Sequence, residues 1–360
     1  MKKHLIALAV AGAVAAPVMA QNVSISGVVD QAVGRDTADA ASGSRTANLS
    51  GVLSTSKLQF NATEDLGGGM KAAVTLADEF GLSSTKQGGT AAVGLGTTFD
   101  SASVSLSGNF GTVAIGRFGS LARNAGGAGS LAELGNAGLA GSSEGFSTLY
   151  VAANTNSSMR NMGDKDDNAF SYTTPTINGV TVQFWRAGAN TSTGQGVGVA
   201  GDQTALGATY ANGPMKFGFG SIKAKQVGSN AKTTAYAGSY DLGMAKVGLI
   251  NIKLDEDSAS AGNTRKVTVL NAAVPMGNGL TLIGAYHSFS HDNAATANSA
   301  TGTVVGVTKA LSKRTTVYGV YGAVSNDANT TYNLGLNDSA TDVTSGADPK
   351  TMAIGVRHTF

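Results

Sequence analysis

The stretch TMAIGVRHTF, residues Thr351 to Phe360, decides the fold class. Alternate residues of a strand share a face, and one face of this stretch carries the large side chains: Met352, Ile354, Val356, His358 and Phe360. An aromatic residue beside a terminal carboxylate is costly to bury in a soluble core, because the charge would lose its water. In a closed transmembrane barrel the apolar face meets lipid and the strand end meets water. The stretch therefore predicts the closing strand of a transmembrane β-barrel.

Upstream of this strand, two kinds of connection alternate along the chain. Long polar stretches lie near 35–50, 82–91, 119–166, 190–202, 228–231, 256–263, 292–299 and 326–348. Short turns rich in Gly, Asn or Asp lie between them, at 64–69, 108–111, 175–179, 211–214, 241–243, 275–279 and 311–315. Eight loops and seven turns separate sixteen strands. The pattern predicts an all-β fold, a 16-stranded antiparallel transmembrane β-barrel.

The strand sequences alternate as the wall of such a barrel should. Apolar or aromatic residues occupy every second position in stretches such as VSISGVV (23–29), KAAVTLA (71–77) and LTLIGAY (280–286). The other positions are largely Ser, Thr, Gly, Ala, Lys or Gln, which predicts an inner face suited to a water-filled lumen. A β-sandwich or β-solenoid of an exported adhesin is the alternative. Neither explains why short and long connections alternate.

The first twenty residues, MKKHLIALAVAGAVAAPVMA, predict an export signal that is cleaved after Ala20. The predicted domains are thus a signal peptide (1–20) and a barrel (21–360). No later segment approaches the ~20 apolar residues that a spanning helix needs. Without Lys2 and Lys3, the 25 basic and 23 acidic residues become 23 and 23, so no nucleic-acid partner is indicated. No motif indicates a cofactor.

Six segments spread over the chain resemble the general diffusion porins of Gram-negative bacteria, of the β-proteobacterial type. They are SISGVVDQAVG (24–34), KLQFNATEDLGGGMKA (57–72), LSGNFGTVAIGR (106–117), DNAFSYTTPTINGVTVQF (167–184), LSKRTTVYGVYG (311–322) and GVRHTF (355–360). The resemblance implies a homotrimer in the outer membrane that lets ions and small hydrophilic solutes diffuse passively. It also implies contact with outer-membrane lipid, lipopolysaccharide and the barrel-assembly machinery.

Loop three, residues 119–166, is too long for an ordinary connection, and loops of such length are usually functional or disordered. Its Gly and Ala richness would let the backbone lie flat against a wall, and LAEL (131–134) favours a helical turn. The resemblance implies that this loop folds into the lumen, with Arg123 and Glu133 adding charge to the constriction. A loop that stays outside is the alternative.

Parity and depth select the pore-lining residues of the second strand. A barrel strand rises ~3.3 Å per residue and tilts ~40°, so mid-membrane lies roughly six or seven residues from a short turn. With Leu58 and Phe60 facing lipid, Lys57 and Gln59 face inward. Lys57 lies near mid-height and is the best basic candidate.

Other strands supply the remaining candidates for the pore lining: Asp30, Thr75, Asp100 and Ser171. Asp100 stands where related porins commonly have an arginine, and Ser171 where they often have an ionisable group. The resemblance therefore implies a constriction poorer in charge than the family pattern. Weak charge selectivity is expected, because Lys57 and Asp100 offset each other.

Two outward-facing groups receive other roles. Arg117 shares parity with Val113 and Ile115, so it points outward, and the resemblance places it at the subunit interface. The terminal face formed by Val356, His358 and Phe360 is predicted to be the barrel-assembly signal.

Neither catalysis nor an EF-hand calcium site is supported. His287 and Ser288 would not work as a catalytic pair, because neighbours on a strand point to opposite faces. Asp164, Asp166 and Asn168 have calcium-loop spacing, but the pattern then fails, so they remain a weak Ca²⁺ candidate. The expected function is a non-enzymatic diffusion channel. A substrate-specific channel and a closed barrel acting as a surface adhesin or structural protein are the alternatives.

Overall fold

The computed structural model describes residues 22–37, 43–54, 56–80, 99–119, 149–151, 165–188, 203–226, 229–257, 263–293, 296–334 and 343–360. Within these residues the chain forms nineteen strands: β1 (Asn22–Thr37), β2 (Ser44–Ser50), β3 (Lys57–Gly67), β4 (Met70–Glu79), β5 (Ser101–Gly108), β6 (Gly111–Gly119), β7 (Leu149–Val151), β8 (Lys165–Thr173), β9 (Val180–Ala187), β10 (Gln203–Asn212), β11 (Met215–Gln226), β12 (Ser229–Asp241), β13 (Lys246–Asp257), β14 (Asn263–Gly277), β15 (Leu280–Asn293), β16 (Thr296–Ala310), β17 (Thr315–Asn326), β18 (Tyr332–Leu334) and β19 (Lys350–Thr359).

Seventeen of these strands form one antiparallel sheet that closes on itself. The last strand, β19, pairs with the first, from Val28 opposite Thr359 to Thr37 opposite Lys350. Strands β2 and β3 both pair with β1 and together fill one position in the wall, so the 17 strands occupy 17 − 1 = 16 positions. The predicted 16-stranded antiparallel barrel is confirmed. Across the described ranges, no helix is long and apolar enough to span a membrane.

The seven predicted short turns are all present between neighbouring strands. Two of them contain an Asn-Gly pair in which both residues have positive φ: Asn178 (50°) with Gly179 (82°), and Asn278 (51°) with Gly279 (73°). This conformation matches the right-handed twist of the flanking strands, and Asn and Gly adopt it at low cost. Local turn chemistry therefore fixes where these strands reverse.

The strands run further than the sequence pattern predicts. The expected loop at 35–50 contains the end of β1 and all of β2, and the expected loop at 292–299 contains the end of β15 and the start of β16. Beyond the lipid, outward positions become polar while backbone pairing continues. The two-residue apolar period therefore ends before the strand does.

The outer face of the barrel is apolar, as predicted. Large residues remain exposed on alternate positions, with Ile354 72% exposed, Ile115 56% and Leu270 54%. These side chains would contact lipid.

The inner face is not polar all round, and this part of the prediction is wrong. Inward positions of β13, β14 and β15 carry buried apolar residues that belong to one cluster: Ile250, Ile252, Val267, Val269, Ile283 and Phe289. Tyr332, in the connection between β17 and β19, packs on Phe289 with ring centroids 3.9 Å apart. Because Phe289 faces inward, the part of this connection at Tyr332 lies inside the barrel. Burial also raises the pKa of the Tyr332 hydroxyl.

The two ends of the barrel wall meet at Gly27 and Phe360. Their backbones exchange two hydrogen bonds, with N···O distances of 3.0 and 3.1 Å. A Cβ atom on Gly27 would lie 2.5 Å from Cζ of Phe360, so the terminal ring covers this glycine on the outer face. The Phe360 ring fits at this position because Gly27 has no side chain.

Deleting Phe360 is expected to reduce barrel assembly, because the seam loses two backbone hydrogen bonds, each worth about 1 kcal/mol, and the ring over Gly27. The measurement is the yield of heat-resistant oligomer in the outer membrane. Phe360→Tyr keeps the ring and serves as the control. Wild-type yield from the shortened chain would contradict the predicted role of Val356, His358 and Phe360 as an assembly signal.

Candidate pore and the segment that narrows it

The second wall position is interrupted where β2 ends and β3 begins. Residues 51–54 and Ser56, here called the inner segment, leave the sheet at this point. Asp30 of β1 holds both ends: its carbonyl accepts from Gly51 N–H at 3.0 Å, and its own N–H donates to Ser56 Oγ at 3.0 Å. The backbone of β1 therefore stays paired while the chain between these contacts departs from the wall.

The Asp30 carboxylate fixes the middle of the inner segment. Oδ2 accepts hydrogen bonds from the N–H groups of Leu53 and Ser54, both at 2.7 Å. Oδ1 accepts from the Tyr318 hydroxyl at 2.5 Å. Asp30 shares its face with the buried Val28 and Ala32, so the segment it binds lies on the inner side of the barrel.

Arg357 and Gly355, both on β19, complete this site. Arg357 donates from Nε to Ser54 Oγ at 2.7 Å. Gly355 lies opposite Tyr318 in the β17–β19 ladder, and the Tyr318 ring fills the space that a Cβ atom would take. Tyr318 can therefore reach across β19 to Asp30 on β1, and the site joins three neighbouring strands to the inner segment.

The inner segment also joins the apolar interior. Val52 and Leu53 are almost fully buried, as is Leu49 at the end of β2. Asp30 is fully buried too. Asp30 therefore lies beneath the inner segment and has no open surface toward the lumen, which corrects its predicted place in the pore lining.

The inner face from β3 to β8, which lies across the lumen from the apolar face of β13 to β15, is polar. On β3 and β4, Asn61 Oδ1 accepts from Gln59 Nε2 at 3.0 Å and from Thr75 Oγ1 at 3.1 Å. Four inward positions of β5 carry serine and continue this face: Ser101, Ser103, Ser105 and Ser107. Ser171 on β8 has the same inward orientation but is buried, so, like Asp30, it has no open surface toward the lumen, which corrects its predicted place in the pore lining. We call this surface of β3, β4, β5, β6 and β8 the hydroxyl wall.

Lys57 is the exposed basic residue beside the inner segment. It is the first of the 11 residues of β3, and it shares the inward face with Gln59. Its partner across the β3–β4 ladder is Glu79. Lys57 therefore lies at the level where the second wall position is interrupted, with a carboxylate-bearing residue on the neighbouring strand.

Asp100 precedes β5, whose register places Ser101 opposite Ala77 on the inner face, while Val104 and Leu106 are exposed on the outer face. Alternation along β5, extended one residue to Asp100, favours the outer side, and its predicted pore-lining place stays a prediction. Counting residues back from the 108–111 turn predicts how deep in the membrane Asp100 lies, but it does not tell which face of the barrel the side chain is on.

Sequence reasoning missed Glu79, Tyr318 and Arg357. Glu79 lies two residues beyond Ala77 on β4, and alternate residues of a strand share a face. Continuing the inward-facing positions of β4 by one more step would therefore have found it. Arg357 shares the inward face of β19 with Gly355. Nothing local to Tyr318 indicates that its partner lies two strands away.

The remaining predicted residues lie elsewhere. Arg117 is on the outer-facing set of β6, and its Nε donates to the Phe99 carbonyl at 2.8 Å. Arg123, Glu133 and Asp164 lie outside the described residues, as does LAEL (131–134). Within loop three, the short strand β7 pairs with β18.

The histidine stretch on β15 divides between the two faces of the barrel. His287 is buried on the inner face and Ser288 is exposed on the outer face, as parity predicts. Asn168, one of the three calcium candidates, adopts a left-handed conformation, with φ of 55°, next to the irregular β6–β8 pairing. In the part of the chain that the structure describes, no three His, Cys, Asp or Glu residues group to hold a metal ion. The Ca²⁺ role of Asp164, Asp166 and Asn168 stays a prediction.

Comparison with known proteins agrees with the barrel. The family model described as Gram-negative porin matches residues 7–329. The chain belongs to the Gram-negative porin family. It is therefore a protein of the outer membrane.

Individual relatives support this assignment. The porin is 44% identical over 119 residues to outer membrane porin protein 32 of Delftia acidovorans, a match that spans 32% of each chain. It is similar in structure to the anion-selective porin from Comamonas acidovorans, with a TM-score of 0.76, 26% identity and coverage of 94% of this chain and 100% of that one. The trimer form of OmpT from Vibrio cholerae has a TM-score of 0.65 at 13% identity, covering 95% and 100%.

Tyr318→Phe is expected to destabilise the porin by about 1.5–3 kcal/mol, because a hydrogen bond to a carboxylate is lost. Asp30→Asn should cost at least as much, since an amide NH₂ cannot replace all the accepting oxygens. Thermal unfolding in detergent measures both. Tyr321→Phe, an exposed tyrosine on the same strand, is the matched control. Equal effects at residues 318 and 321 would contradict the proposed role of the Asp30 site.

Proposed function

We propose that this porin is a passive diffusion channel for ions and small hydrophilic solutes across the outer membrane. The observation that carries the proposal is the hydroxyl wall inside a closed barrel. Serine, threonine and amide side chains can hydrogen-bond to water and to passing solutes without holding them tightly. Transport through this barrel requires no catalytic group, so we assign a non-enzymatic role.

The path follows the hydroxyl wall. The opposite wall, from β13 to β15, carries buried apolar side chains, and the inner segment and Tyr332 cover parts of the interior. Water and hydrated solutes avoid such surfaces because they cannot hydrogen-bond there. The open route is therefore narrower than the barrel and lies to one side of it.

Selectivity for charge should be weak. Lys57 and Glu79 face the lumen on adjacent strands, so their fields oppose each other. The structural relative from Comamonas acidovorans is described as anion-selective. We propose that this porin prefers anions less strongly, because Glu79 lies beside its main basic residue.

The remaining assignments extend the family membership. We propose a homotrimer, with the outward-facing Arg117 at the subunit interface, and a signal peptide at residues 1–20. Loop three, residues 119–166, would narrow the pore. The partners of the porin would be outer-membrane lipid, lipopolysaccharide and the barrel-assembly machinery.

Planar-bilayer recording separates this function from its alternatives. A trimeric diffusion channel would insert in steps of three equal conductances. A substrate-specific channel would show saturable block by one solute, and a closed adhesin or structural barrel would remain silent.

Lys57→Gln should shift the zero-current potential toward cation preference, and Glu79→Gln should shift it toward anion preference. A unit charge several ångströms from a permeating ion is worth ~0.5–2 kcal/mol at an effective dielectric between ~20 and ~80. Both shifts should shrink at molar salt, where the Debye length is ~3 Å. Asp100→Asn is the control and should change little. A larger shift from Asp100 than from Glu79 would refute the register argument.

Excising residues 126–141 from loop three should raise the single-channel conductance, because the loop is proposed to occupy part of the lumen. The control is an excision from the loop near 190–202. Unchanged conductance in a correctly assembled trimer would show that loop three does not narrow the pore.

A further inference from the structure

The inward faces of β3, β4 and β5 carry few charges, and these charges are arranged as two opposed pairs. Lys57 lies opposite Glu79 where the inner segment leaves the wall, and Asp65 lies opposite Lys71 near the short turn. Between the two pairs, the inward positions of these three strands are occupied by Gln, Asn, Thr, Ala or Ser. The Lys57–Glu79 pair is therefore a local dipole on an otherwise uncharged part of the hydroxyl wall.

Paired backbone on both sides holds the Lys57–Glu79 pair in place. Toward the short turn, Gln59 continues the ladder opposite Ala77, and on the other side the Phe80 N–H donates to the Ser56 carbonyl at 3.0 Å. The Cβ atoms of directly opposite residues in an antiparallel ladder lie about 4.5–5.5 Å apart. The barrel wall therefore fixes the two charged residues relative to each other.

The two charges are not joined to each other. Within the described ranges, no ion pair connects Lys57 Nζ with the Glu79 carboxylate. Lys57 is exposed and Glu79 is half-buried. Glu79 also interacts elsewhere, but a carboxylate has about four acceptor positions and can hold an ammonium group as well. A solute in the lumen can therefore contact both groups.

An ion and a zwitterion respond differently to such a pair. A single charge near the pair is attracted by one residue and repelled by the other, so the two effects largely cancel. A solute that carries both an ammonium and a carboxylate group can turn so that each group faces the residue of opposite charge. Both attractions then add, whereas an uncharged solute gains neither. The arrangement that weakens ion selectivity thus favours zwitterions.

We infer that the porin admits small zwitterions, the class to which amino acids belong, faster than uncharged or singly charged solutes of the same size. Lys57 faces the carboxylate of the solute and Glu79 faces its ammonium group. Asp30 and Arg357, inward on β1 and β19, are themselves opposed residues of opposite charge, so they add no net charge. The inference rests on the proposed diffusion function and names the solute class that this function favours.

The test uses the full-length oligomer in liposomes and labelled solutes that all have the same number of non-hydrogen atoms. Alanine is the zwitterion, lactamide its uncharged isomer, lactate the anion and alaninamide, at neutral pH, the cation. The rate of uptake is measured for each solute, with protein-free liposomes as the background. The ratio of the alanine rate to the lactamide rate is independent of the number of channels.

The variants separate a dipole from a single charge. The wild type is compared with Lys57→Gln, with Glu79→Gln, with both changes together, and with the charge swap Lys57→Glu plus Glu79→Lys. The matched control is Asp65→Asn with Lys71→Gln, which removes the other opposed pair on the same strands. Asparagine can still accept from the Gly67 N–H as Asp65 does. Heat-resistant oligomer is checked for every variant.

Alanine should enter through the wild type about threefold faster than lactamide at low salt, as expected for charges acting over several ångströms. Molar salt should remove most of this preference, because the Debye length falls to ~3 Å. Each neutralisation, single or double, should bring the two rates close together. The charge swap should keep the preference, because alanine can turn round, and the control should keep it too. The single variants should in addition favour alaninamide without Lys57 and lactate without Glu79.

Equal alanine-to-lactamide ratios in the wild type and the double neutral variant would overturn the inference. A charge swap that behaves like the neutral variants, or a control that lowers the ratio as much, would overturn it as well. A porin that passes lactamide without preferring alanine refutes the zwitterion inference alone. Lactamide uptake no faster than through protein-free liposomes would refute the diffusion function, and the inference with it.

Discussion

The structure depends on one constraint, which is that every backbone N–H and C=O group inside the membrane must find a partner within the protein. An open sheet would leave the outer edges of β1 and β19 unpaired in lipid. Ten residue pairs between these strands remove both edges. Closure also explains why the terminal residue has a specific place, because the ladder continues through Thr359 to the pairing of Phe360 with Gly27.

The Asp30 site follows from closure. Where β1 exchanges β2 for β3 as its neighbour, the described residues of the inner segment would leave unpaired backbone groups inside the barrel, each costing free energy. Asp30 satisfies several of them with its own backbone and its carboxylate. Its buried charge in turn has Tyr318 and the nearby Arg357 as compensation. Removing one member would leave the others unpaired, so the site behaves as a unit.

Sequence reasoning succeeded where the cause is local. Asn178-Gly179 and Asn278-Gly279 determine their own turns, and alternation identifies the lipid face of β19 without knowledge of its neighbours. It failed where the cause is another segment. The alternation of Leu249 with Ile250 gives apolar residues on both faces of β13, and parity cannot tell an inward side chain in water from one beneath folded chain. The prediction that Asp30 lines the pore failed for the same reason, because the inner segment that covers Asp30 does not belong to its own strand.

The asymmetry of the lumen makes the few exposed charges more influential. Apolar side chains on the inner face of β13 to β15 would cost about 25 cal/mol for each Å² left in water, so they favour inward folding of the connections that cover them. That cover displaces water and leaves a low-dielectric surface facing the hydroxyl wall. Field lines from Lys57 and Glu79 are then confined to the remaining water-filled route. We therefore expect the proposed channel to discriminate between ions, with the balance between Lys57 and Glu79 setting the direction of that discrimination.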